Sequence, residues 1–192
     1  MKNKNETITL YTGQRQVVLD TLKNEGIYHV KKNYVKEKYR EVSSIFLEAY
    51  SWLVKEMEKR VHKPEGAEYP VWVFTKKRDV EVPKGSELII LEVPVEHVLL
   101  FEQKHWNRVL NLSYLGESEE EEEEFQVELE RQGITSQSDL FLTAFYPHLK
   151  DRVKKSWGNL FRSSLNRNAS MQGALWEIRV EWIQNRDELG IE

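Results

Sequence analysis

The sequence predicts an α+β fold: a curved, mostly antiparallel sheet packed on one long helix, with a C-terminal helical insertion before the last strand. Two observations carry this. One stretch from Tyr34 to Val61 keeps helical spacing without a single Gly or Pro. Several β-rich segments are adjacent in sequence rather than alternating with helices, which separates α+β from a doubly wound sheet.

In the long stretch, Tyr39, Val42, Phe46, Ala49, Tyr50, Leu53 and Met57 fall at spacings of three and four, one face of a 3.6-residue helix. Pro64, Gly66 and Pro70 stop it. Upstream, Thr7 to Tyr11 alternates as a first strand, Thr12-Gly13 reads as a turn, and Gln14 to Asn24 as a helix closed by Gly26. Ile27 to Val30 is a short extended segment.

Downstream, Pro70 to Thr75 and Glu87 to Val93 read as strands. The second is nearly continuous in apolar residues, as in a central buried position. Glu96 to Phe101 is a further short strand, and Gln103 to Leu112 a helix. Glu117 to Glu130 holds nine glutamates and no basic residue. Its low complexity predicts a mobile acidic insert over about 116–131, with helix from Phe125. A helix from Ser136 or Ser138 to about Pro147 and another from Leu149 to Arg162 follow. Ala174 to Ile183 alternates and predicts one last strand with one buried face.

With 192 residues, 40% apolar and 31% charged, the chain suits one soluble domain over 1–192. Its longest apolar runs, Leu88 to Leu91 and Val98 to Phe101, are far short of a membrane span. The first residues carry no apolar leader, and there is no cysteine. These point to a reducing cytoplasm and exclude disulfides, thiolate metal sites and a cysteine nucleophile. The five histidines show no metal-ligand spacing, so no metal is expected. Net charge is −4; since nine of the acidic residues are clustered, the rest of the chain is mildly basic. No groove-reading motif is present, which argues against a nucleic-acid partner.

Leu91-Glu92-Val93-Pro94, Val98-Leu99-Leu100, Trp106 to Asn111, Ser156-Trp157 with Phe161, and Gln172 with Leu175 to Ile178 stand in this order. In that order they resemble a family of bacterial and phage proteins catalogued as a domain of unknown function. The chain departs from that pattern at Glu102, where Asp is usual, and in the glutamate run. The resemblance implies one common fold and carries no assigned activity.

The opening Leu10-Tyr11-Thr12-Gly13 strand and the helix closing in Glu25-Gly26-Ile27 resemble the start of ADP-ribosyltransferase-like domains. That resemblance implies an NAD or ADP-ribose ligand, bound as substrate rather than resident cofactor. Tyr11, Thr12, Gly13 and Gln14 would line the pocket. Glu177 would be the catalytic carboxylate that polarises the ribose. Trp72 and Trp106 are candidates to wall a cleft and stack on a base, and Gln172, between a loop and a strand, is a candidate ligand contact. The alternative is a non-enzymatic factor, acting in host–phage conflict for example, that binds a protein partner through the acidic insert or a basic face.

Overall fold

The computed structural model describes residues 6–30, 43–162 and 169–191. The fold is α+β. The backbone divides into two compact units: Met1–Lys38, Val54–Leu100 and Arg167–Glu192 in the first, Tyr39–Leu53 and Phe101–Asn166 in the second.

In the first unit, β1 (Thr7–Arg15) pairs antiparallel with β4 (Ser86–Pro94) over its whole length. The turn expected at Thr12-Gly13 is absent, because the strand runs through it. Gly13 answers a different need: a Cβ there would stand 2.6 Å from the Glu81 carbonyl oxygen, so only glycine admits that backbone so close. Helix α1 (Gln16–Glu25) therefore begins two residues later than expected. It ends as expected at Gly26, left-handed with φ 73°, whose N–H donates to the Leu22 carbonyl.

β3 (Val71–Phe74), β5 (Val98–Glu102) and β6 (Met171–Leu175) complete a sheet of order β4-β1-β3-β6-β5. β4 thus stands at an end of the order, not in the centre. Only one of its faces is buried, at Ile89, Leu91 and Val93, and the C-terminal segment bonds to its outer edge. Gln184 N–H donates to the Ile90 carbonyl, and Asn185 bonds both Ile90 N–H and the Leu88 carbonyl. One face of the sheet, with Leu10, Val73, Ile89, Leu91 and Leu175, forms a core with Val18, Leu19 and Leu22 of α1.

The single last strand expected over Ala174 to Ile183 is three pieces. β6 ends at Leu175, β7 (Glu177–Arg179) pairs instead with β2 (Ile27–His29), and residues 180–182 form a 3-10 turn. The alternation misleads because Ala174 to Ile178 is buried on both parities. Polar Glu177 is enclosed as fully as its apolar neighbours.

Helix α2 (Ser43–Glu58) is the described part of the expected long helix; residues 34–42 lie outside the described residues. Ala49, Tyr50, Leu53 and Met57, expected on its inner face, are all buried.

The second unit adds α3 (Gln103–Leu110), α4 (Glu119–Arg131), the single turn α5 (Asp139–Leu142) and α6 (Pro147–Ser156). The helix expected from Phe125 starts at Glu119. Ser118 caps it by accepting from Glu121 N–H, and four glutamates fill its first turn. They complement the positive end of the helix dipole there. Phe125 and Leu129, four apart, face its core. Trp157 is anchored by its indole N–H on the Ser113 carbonyl at 2.8 Å. In the first unit, α7 (Arg186–Leu189) closes the described chain.

Candidate functional site

Burying a polar group costs free energy unless it is hydrogen-bonded, so buried polar residues are where retained function is sought. Among the described residues, five polar or charged residues are buried: Thr12, Glu102, Ser156, Gln172 and Glu177. Three of them, Thr12, Gln172 and Glu177, were singled out from the sequence, and all three lie in the first unit.

The strand registers place these residues. Tyr11 pairs with Ile90 on one side and Phe74 on the other, and Phe74 pairs with Gln172. Directly opposed residues share a face, so Tyr11, Phe74 and Gln172 form one row across β1, β3 and β6. Trp72, two residues from Phe74, shares that face and pairs with Ala174. Thr12 and Gln14 point to the opposite face. Thr12 donates to the Trp72 carbonyl at 2.8 Å and accepts from Gln14 Nε2 at 2.7 Å. Gly13 is explained by the Glu81 carbonyl alone. Trp106 lies in the second unit, 1% exposed, edge-on to Tyr50 and tilted against Phe101. It packs a core and presents no open ring face.

Glu177 stands apart from that row, on β7. Although the alternation over Ala174 to Ile183 puts Glu177 on the polar parity, it is 3% exposed. His29 is its register partner on β2, and the imidazole Nε2 donates to Oε2 at 2.9 Å. Arg179 Nε donates to Oε1 at 2.6 Å. The opposite face of this two-stranded sheet carries Tyr28 and Ile178, which join the apolar core. The sheet is thus apolar on one side and carries a histidine–carboxylate–arginine cluster on the other. Arg179 also reaches Glu181 at 3.5 Å and lies 5.5 Å from the Trp182 ring centroid.

Burial by itself pushes the Glu177 carboxyl up. The hydrogen bonds from Arg179 and His29, with their charges, outweigh it and hold the group below the usual carboxylate range. The hydrogen bond to Glu177 in turn pushes the Arg179 guanidinium further up. Glu177 is a buried carboxylate kept ionised, an acceptor able to take a hydrogen bond from a hydroxyl or to receive a proton.

The sequence reading missed His29, which is 148 residues from its partner. The signal available was modest: the alternation of Ile27 to Val30, and the shared parity of Glu177 and Arg179. In the second unit, Glu102 Oε2 and His105 Nδ1 are buried without a hydrogen-bond partner. The Lys104 ammonium lies 3.0 Å from that oxygen, an ion-pair distance outside hydrogen-bond geometry. Among the described residues, no group of three or more His, Asp and Glu is placed to hold a metal ion. No helix among them is long and apolar enough to cross a membrane.

Residues 9–184 match the family model described as Domain of unknown function (DUF3841). The chain belongs to this family. The DUF3841 match begins inside β1 and runs past β7, so it includes Tyr11, Trp72, Gln172 and the whole His29–Glu177–Arg179 cluster. The DUF3841 description assigns no activity. No curated protein and no solved structure matches the chain.

Proposed function

We propose that the first unit is a nucleotide-handling domain of ADP-ribosyltransferase-like type that takes NAD or ADP-ribose. The observation that carries this reading is Glu177: buried, ionised, and held at both oxygens by His29 and Arg179. An ionised carboxylate in a low-dielectric setting accepts strongly from a ribose hydroxyl and stabilises positive charge developing at the neighbouring anomeric carbon. In the transfer, the bond from that carbon to nicotinamide breaks. A bond to the acceptor's nucleophilic atom forms, and the acceptor's proton leaves to solvent. Tyr11, Trp72 and Gln172, on one sheet face, are the candidate contacts to the remainder of the ligand.

Thermal unfolding with NAD, ADP-ribose, ATP and cyclic nucleotides tests this. A ligand at 100 times its Kd adds about 2.7 kcal/mol. A stabilisation by NAD or ADP-ribose that Glu177→Gln and Tyr11→Ala diminish is the expected result. No shift with any nucleotide overturns the reading.

A second reading, a protein-binding factor, is favoured by one observation. Glu119, Glu120, Glu123 and Glu124 are exposed on α4 and form no ion pair with the described residues. They leave an acidic strip open to a basic partner. Replacing all four by Gln should then abolish capture of that partner with the fold intact; unchanged capture sinks this reading.

A further inference from the structure

We propose that His29 is the positioning residue for Glu177, fixing from the neighbouring strand the direction in which the carboxylate meets a ligand hydroxyl. This rests on the reading of Glu177 given above. The two groups that hold Glu177 differ in kind. Arg179 is two residues away on the same strand, so its bond ties Glu177 to no other element. Its guanidinium is shared with Glu181 and packed over Trp182. His29 alone of the two comes from another strand, directly opposite in the register. It is anchored there because its neighbour Tyr28 pairs with Ile178 and packs on the core. The His29 side chain is 17% exposed and the Glu177 side chain 4%, so the imidazole lies at the rim and the carboxylate behind it. A carboxylate has about four acceptor positions. His29 and Arg179 take one on each oxygen, and the positions left are those to which a hydroxyl donates. Without His29, the Arg179 bond to Oε1 remains, but Oε2 loses the donor that fixes it from the neighbouring strand, and the carboxylate torsion, which is broad for glutamate, is held from one side only.

The test compares the full-length wild type with His29→Leu and His29→Gln; the glutamine amide places an N–H donor near the imidazole Nε2. The first readout needs no ligand: the titration of the Glu177 carboxyl carbon by NMR. His29→Leu should move it upward and His29→Gln should return it toward wild type. A titration unchanged in His29→Leu overturns the proposal. The second readout is NAD affinity and turnover. Turnover should fall about a hundredfold in His29→Leu, the scale of a small misplacement at a reacting centre, with Kd unchanged and with recovery in His29→Gln. A parallel loss of affinity and turnover, or no recovery with glutamine, overturns positioning. If the wild type neither binds nor consumes NAD, the ribose reading of Glu177 fails, and the carboxyl titration alone decides whether His29 orients it. Should His29→Leu not fold, His29→Asn, whose amide is too short to reach, takes its place.

Discussion

Two acidic regions of this chain behave in opposite ways. Helix α4 and its approach carry nine glutamates between Glu117 and Glu130. Those glutamates either face solvent or pair at the surface. Glu122 accepts from Arg108 and Gly116 N–H, Glu128 pairs with Arg152, and Glu121 accepts from Tyr114. The strand pair β2–β7 carries one buried glutamate, bonded across the sheet to a residue far away in sequence. The lesson is that number and energy run opposite. Exposed charges are screened and weakly coupled, whereas one enclosed carboxylate ties its surroundings to its charge.

The largest effect should come from Glu177→Ala. It leaves His29 and Arg179 facing a gap and should cost about 3 kcal/mol, seen in the urea midpoint. A loss below about 1 kcal/mol would place Glu177 with the surface glutamates and erase the contrast. A smaller effect is expected from Ser118→Ala, which removes the α4 cap. It should cost about 1 kcal/mol, showing that the acidic region is held by its backbone ends rather than by its charge. The smallest should be the double change Glu120→Gln with Glu124→Gln. Both are exposed, so stability should stay within about 0.5 kcal/mol; a larger shift would mean that the strip is coupled to something its exposure does not reveal.

The same contrast explains what was legible in the sequence. The existence of strands β1, β3, β4 and β5 and of helices α1 and α3 is legible because apolar patterning is a local property, but the length of β1 and the edge position of β4 are not. The core positions of α2 are legible for the same reason. The α4 start was not, since six consecutive glutamates carry no periodicity; the cap at Ser118 and the dipole-favoured first turn decide it. The break at Trp176 was hidden because burial on both sides removes the difference between parities. Tyr11, Trp72 and Gln172 fall on one face, which the sequence did not show, because β1, β3 and β6 lie far apart along the chain and only their pairing makes the row. The His29–Glu177 bond was not legible, because it depends on β7 leaving one sheet for another, a tertiary choice that leaves no local trace. Trp106, a candidate to wall a cleft, is 1% exposed; large aromatics mostly fill cores, and this one does.

The most direct measurement is the titration of the Glu177 carboxyl in the folded wild-type protein by carboxyl-carbon NMR, alongside stability against pH. With the folded pKa depressed, the contribution of Glu177 to stability is full above the unfolded glutamate value of about 4.3 and is lost as pH falls through the folded midpoint. The predicted result is a midpoint below the usual carboxylate range, with stability declining from about pH 4 downward and the decline reduced in Glu177→Gln. A midpoint at or above the ordinary value would contradict it, showing that burial outweighs His29 and Arg179 and that no ionised carboxylate is held there.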